Sequence, residues 1–155
     1  NSPFGYQWFS LLDRDPQAII DSVIATTAVT ELLHSICEKW GLSSTQIVLM
    51  GFSQGCMTAF YHGLCGEMTL GALVGFSGRL LLNDKTPILH RPPLLIIHGG
   101  EDNVVPLSAF DQALISLNQH KIGYEALFRP HLGHSIDETG LKETNRFLKR
   151  VFKIT

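Results

Sequence analysis

Charge is scarce in this sequence, and what there is nearly cancels. Only 17% of its 155 residues are Asp, Glu, Lys or Arg, and the net charge is −2. A nucleic-acid surface needs a basic stripe, and none is present. Cysteine is scarce and odd in number: Cys37, Cys56 and Cys65. The three lack metal-ligand spacing, so no metal is expected. They fit free thiols in a reducing, cytoplasmic setting better than a disulfide framework. No uninterrupted apolar run reaches the roughly 18 residues that a membrane helix needs, so no transmembrane segment is expected. No charged-then-apolar leader opens the sequence. Repeats, low-complexity tracts and linkers are absent, so residues 1–155 read as one domain. The chain opens on Asn1 without Met, and its first residues read as the interior of a longer sequence. What the chain does have is apolar residues, 45% of the total, enough to bury a core.

Periodicity divides those residues into alternating elements. Phe4, Tyr6, Trp8 and Phe9 follow no period and are read as an ordered loop. Asp15-Pro16 is a helix start, with the acid as cap and proline at the first helical position. Ile19, Ile20, Val23, Ile24, Leu32, Leu33, Ile36 and Trp40 recur at helical spacing, with a bend or break expected at Thr26-Thr27 and a stop at Gly41. Strands are expected at Gln46–Met50, Ala72–Phe76, Leu94–His98 and Tyr124–Phe128. Helices are expected from Gln54 to about Cys65 and over 107–120 and 138–152. Strands alternating with helices predict a mostly parallel sheet of about four strands with flanking helices.

Gly51-Phe52-Ser53-Gln54-Gly55 is the strongest motif. A strand precedes it and a helix follows, the setting of a nucleophile elbow. The turn is tight, the flanking glycines are expected to supply space where any Cβ would collide, and the serine is lifted above the sheet. A simple turn with an N-cap serine is the plainer alternative. Such a serine needs a base and a group to orient the base, in the chain order Ser, acid, His. The segment His98-Gly99-Gly100-Glu101-Asp102-Asn103-Val104-Val105-Pro106 lies just past a strand end, where functional groups of parallel sheets collect. Asp102 is the expected acid, with Glu101 its main rival and Asp111 a weaker one. The loop after the last strand carries Pro130-His131-Leu132-Gly133-His134-Ser135. His134 is the expected base and His131 its rival. His34, His62, His90 and His120 read as ordinary surface or core residues.

These segments resemble those of the phospholipase/carboxylesterase family of α/β-hydrolases, which includes the acyl-protein thioesterases. Gly51–Gly55 is similar to that family's GFSQG elbow, and Gly75-Phe76-Ser77-Gly78 to its strand-end S-G segment. His98-Gly99 with Asp102 and Val104-Val105-Pro106 resembles its HGxxDxVVP acid segment. Leu132-Gly133-His134-Ser135 resembles its histidine segment, and Gln7-Trp8-Phe9 the W-F stretch before its long helix. The resemblance covers nearly the whole chain. It implies the C-terminal portion of an α/β-hydrolase fold and ester or thioester hydrolysis through an acyl-serine, with no cofactor. The implied substrates are small-molecule, lysophospholipid or acyl-protein esters, and the implied location is cytosolic.

The expected mechanism has Ser53 attack the acyl carbonyl, His134 take its proton, Asp102 orient the imidazole, and the Gln54 backbone N–H meet the oxyanion. Trp8, Val105 and Leu132 are candidate walls of an acyl groove, and each reads equally well as core. Arg79 reads as a solvated surface residue, with contact to a polar head group as the alternative. Cys56 stands where the family often has a small residue. It is read as packing, with a reactive thiol at the helix N-terminus as the alternative. A non-catalytic hydrolase-fold remnant that binds partners, or a peptidase or lactone-opening enzyme, are the competing classes. The family's earlier strands and second oxyanion donor have no counterpart before Trp8. An N-terminally incomplete domain, poorly active alone, is therefore expected, its uncovered sheet edge either accompanied by the missing strands or paired with another copy as a homodimer.

Overall fold

Four apolar runs assemble into one parallel sheet in a computed structural model of the chain, which describes residues 7–10, 16–24, 26–83 and 86–154. In chain order the elements are α1 (Pro16–Ile24), α2 (Ala28–Trp40), a 3-10 turn (Ser44–Gln46), β1 (Val48–Phe52), α3 (Gln54–Cys65), β2 (Ala72–Phe76), β3 (Leu94–Gly99), α4 (Leu107–Gln119), β4 (Glu125–Arg129) and α5 (Glu138–Phe152). The expected loop through Phe4 and Tyr6 and the Asp15 cap lie outside the described residues.

The sheet order is β1-β2-β3-β4, with every pair parallel. The middle strands β2 and β3 are buried along their whole length, as a parallel sheet covered on both faces requires. Side-chain alternation sends Leu73 and Ile96 to one face, where they meet Val29 and Leu33 of α2, Phe60 and Leu64 of α3, and Phe110 and Leu117 of α4. Ala72, Val74, Phe76, Leu95 and Ile97 face the other way and pack on Phe147 of α5. Phe60 and Phe147 are fully buried, and truncating either to alanine would cost about 3–5 kcal/mol. A third cluster, of Phe9, Val23, Met57, Leu81, Val105 and Ala109, ties the N-terminal segment and α1 to α3 and α4.

The strand expected at Gln46–Met50 lies two residues further on. Ser43 and Gln46 form a reciprocal capping box, with the Ser43 N–H donating to Gln46 Oε1 at 2.9 Å. That box winds Ser44–Gln46 into a 3-10 turn and delays the strand to Val48. At the other end the ladder continues through Gly51 and Phe52, which pair with Gly75 and Phe76. The break at Thr26-Thr27 is observed: Thr26 donates from its hydroxyl to the Ser22 carbonyl at 2.9 Å and from its N–H to the Val23 carbonyl at 3.1 Å. Gly41 ends α2 in the left-handed region, at φ 62°. Taken together, Gln17–Trp40 has the length and mean hydropathy (1.3) of a membrane-crossing segment. Interspersed polar residues hide this from a search for unbroken apolar runs. The structure divides the stretch into two helices, and Val23, Val29 and Leu33 are buried against the domain.

Candidate active site

The site begins where β1 turns into α3. The Ser53 N–H donates to the Phe76 carbonyl at 2.9 Å, adding one rung to the β1–β2 ladder, while the Ser53 carbonyl accepts from the Met57 N–H at 3.2 Å in the first turn of α3. One residue thus ends a strand and begins a helix. To do so it adopts φ 55° and ψ −119°, a strained conformation for a residue with a Cβ, costing on the order of 1–3 kcal/mol. This is the geometry of a nucleophile elbow rather than of an ordinary N-cap, whose backbone is extended. Gly51 makes the turn possible, since a Cβ there would lie 2.1 Å from the Gly55 carbonyl oxygen. The second glycine differs from expectation: a Cβ on Gly55 would meet nothing described closer than Trp8 Nε1 at 4.0 Å. Gln54 is the first residue of α3, so its N–H has no intrahelical acceptor and points from the positive end of the helix.

Asp102 and His134, 32 residues apart in sequence, are brought together by the loops after β3 and β4. His134 Nδ1 is 2.8 Å from Asp102 Oδ2. The carboxylate can only accept there, so Nδ1 carries the proton and Nε2 is left as the acceptor. The other carboxylate oxygen accepts from the Val104 and Val105 N–H groups at 2.9 and 2.8 Å. Burial acts to raise the Asp102 pKa. The hydrogen bond from His134, those from the Val105 and Val104 N–H groups and the charge of His134 outweigh it, so the carboxyl lies below its ordinary range. The Asp102 side chain is fully buried, while that of His134 stays 16% exposed. The two loops are held backbone to backbone. The Gly100 N–H donates to the Arg129 carbonyl at 2.8 Å and the Glu101 N–H to the Leu132 carbonyl at 3.0 Å. A Cβ at Gly99 would strike the Leu132 carbonyl at 2.2 Å, so this close approach requires glycine.

The rivals fall elsewhere. Glu101 and His131 pair with each other at 3.2 Å on the surface, with side chains 65% and 91% exposed, and Asp111 is exposed on α4. The His134 ring lies against Phe52, the residue before Ser53, with ring centroids 4.7 Å apart. Ser53, Asp102 and His134 therefore stand around the carboxyl ends of β1, β3 and β4. The His134 ring is oriented by the Asp102 carboxylate and lies against the residue before Ser53, an arrangement of the kind that can activate a hydroxyl for attack on an acyl carbon. Cys56 is fully buried. A Cβ on Gly75 or on Gly78 would meet its Sγ at 2.4 or 2.5 Å. Burial pushes its thiol well above the ordinary range, with a smaller opposing effect from the Gly78 backbone, which favours packing over the reactive-thiol alternative. Among the described residues no three His, Cys, Asp or Glu side chains gather as a metal site.

Of the groove candidates, Trp8 is exposed, Leu132 is half-buried, and Val105 is buried among Phe9, Met57 and Ala109, the environment of a core residue. One contact was not anticipated. The Gln54 side chain grips the segment above it, accepting from the Trp8 N–H at 3.2 Å and donating to the Phe9 carbonyl at 3.0 Å. A motif shows that position 54 begins a helix, not what its side chain meets 46 residues away.

The sequence model of the phospholipase/carboxylesterase family matches residues 1–152. The chain belongs to this family. Acyl-protein thioesterase 1 of Aspergillus fumigatus is 34% identical over 122 residues, covering 72% of this chain and 49% of that protein. Esterase YpfH of Escherichia coli is 28% identical over 148 residues, covering 91% of this chain and 61% of that protein. The crystal structure of esterase PE8 superposes with a TM-score of 0.87 at 33% identity, covering 96% of this chain and 72% of that one. The metagenomic α/β hydrolase MGS-M1 superposes at 0.65 with 19% identity, covering 94% and 69%, and shares the fold. The sheet is thus that of an α/β hydrolase, and the chain spans about half the length of the acyl-protein thioesterase it matches.

Proposed function

We propose that the protein is a serine hydrolase that cleaves carboxylic esters or thioesters through an acyl-serine intermediate. Ser53 Oγ attacks the acyl carbonyl carbon as its proton passes to His134 Nε2. Asp102 holds the opposite ring nitrogen and supports the imidazolium. The tetrahedral oxyanion is received by the Gln54 backbone N–H, a donor already oriented at a helix start. Collapse of the tetrahedral species breaks the bond to the alcohol or thiol, which leaves with the proton from His134. Water, deprotonated by His134, then attacks the acyl-serine. The acid departs and Ser53 recovers its proton.

The observation that carries this reading is the partly buried Asp102–His134 hydrogen bond laid beside the strained serine elbow. The family and the relatives named as thioesterases and esterases favour acyl esters and thioesters, of small molecules, lysophospholipids or S-acylated proteins, as the substrate class. Trp8 and Leu132 are the groove walls in this proposal. A reducing, cytoplasmic location suits three free cysteines. A panel of esters, thioesters and amides sharing one short acyl group tests the chemistry. Esters and thioesters are expected to turn over with an initial burst and amides far more slowly. Preferential amide cleavage, or no turnover of any acyl donor, would contradict it.

A further inference from the structure

His98, near the end of β3, has no solvent exposure, and the mechanism above does not use it. Its Nε2 lies 2.9 Å from the Val105 carbonyl oxygen. That oxygen can only accept, so Nε2 carries the proton. Nδ1 is buried and makes no hydrogen bond. The ring is held at 5.5 Å, centroid to centroid, from Phe110 of α4. The Val105 backbone is therefore held at both ends, its N–H by Asp102 at 2.8 Å and its C=O by His98. The same Nε2 lies 3.7 Å from Asp102 Oδ2, too long for a hydrogen bond but close enough for its N–H dipole to favour the carboxylate there. That oxygen is the one that receives the His134 proton bond.

We propose that His98 is a positioning residue for Asp102, acting through the Val105 backbone. A buried imidazole is an unusual choice where any apolar side chain would fill space, and its single hydrogen bond goes to the turn that orients the carboxylate. Removing it leaves the Val105 carbonyl buried without its donor, frees the turn, and lets the carboxylate drift from the geometry that His134 requires. The proposal rests on the reading of Asp102 as the orienting acid.

The test uses protein expressed from its native reading frame, with kcat and KM measured on a short acyl ester and folding followed by thermal melting. His98→Gln can carry an amide N–H to the Nε2 position. His98→Asn is polar but too short, and His98→Leu has no donor. The expected result is a kcat lowered about 10–100-fold in the Asn and Leu variants with KM within about twofold, and largely restored in the Gln variant. In an Asp102→Asn background, His98→Leu should lower kcat by less than about threefold further, because the residue acts through one already disabled. Should the Leu variant fail to fold, the Gln and Asn variants decide. Equal activity in Gln and Asn, or full multiplication of the two losses in the double variant, would overturn the proposal. An Asp102→Asn variant of undiminished rate would instead overturn the assignment of Asp102 itself.

Discussion

Replacing each glycine of the elbow by alanine should have opposite consequences, although the motif treats the two alike. At position 51 the new Cβ would lie 2.1 Å from the Gly55 carbonyl oxygen, 2.2 Å from its carbon and 2.5 Å from the Cys56 nitrogen. All three are backbone atoms of the first turn of α3, so no side chain can swing aside. An ordinary contact is restored only by separating β1 from the helix by about 1 Å. That shift moves Ser53 and the Gln54 N–H together. Misplacement by about 1 Å costs on the order of 10²-fold in rate, and overpacking of this kind costs about 1–3 kcal/mol, or roughly 2–12 °C in Tm for a domain of this size. At position 55 the nearest described atom is Trp8 Nε1 at 4.0 Å, and alanine suits a helix better than glycine by about 0.5–1 kcal/mol. Gly55→Ala should therefore keep its Tm or raise it slightly, with kcat within about threefold. Ester hydrolysis and thermal melting of both variants decide the matter. Equal losses at the two positions would refute the reasoning.

The buried, triply bonded Asp102 against the exposed Glu101 predicts that Asp102→Asn lowers kcat by about 10³–10⁴-fold while Glu101→Gln stays within about threefold; comparable losses in steady-state assays would leave the acid misassigned. Cys56→Ala should keep the rate within a few-fold, because the thiol only fills space against Gly75 and Gly78, whereas a loss like that of a Ser53 variant would make it a reactive group. Its three hydrogen bonds hold the folded Asp102 carboxyl below the ordinary carboxylate range, so its stabilising contribution is present above the unfolded pKa of about 4 and is lost as pH falls through the folded value. Melting curves between about pH 2 and pH 5 should accordingly fall more steeply for the native protein than for Asp102→Asn, and parallel curves would contradict the shift.

Much of this arrangement is legible in the residues because local and global preferences agree. Gln54–Cys65 and Ala72–Phe76 occur where expected, the first bounded by the elbow and Gly66, the second a fully buried apolar run. Boundaries failed where a side chain intervened: the Ser43–Gln46 capping box took Gln46 out of β1. Chain order could not separate Asp102 from Glu101, because adjacent residues share a strand end. Burial separates them, since side chains of neighbouring residues leave the loop in different directions. The same holds for His134 and His131, whose exposures differ widely. The contacts of His98 and of the Gln54 side chain are not legible in the sequence for another reason. A motif gives each only a place in the chain, and its partner is fixed by tertiary contact, Val105 across a loop in one case and the Trp8–Phe9 backbone in the other.

The central claim is that Ser53 is an activated nucleophile, and covalent labelling tests it most directly. A fluorophosphonate should phosphonylate the native protein once, with fluoride leaving and phosphorus bonded to Ser53 Oγ. Intact mass should rise by a single adduct, and peptide mapping should assign it to the peptide containing Gly51–Gly55. The Ser53→Ala protein, folded by thermal melting, should take up none. Labelling that persists in Ser53→Ala, or an adduct on another residue of the native protein, would contradict the account.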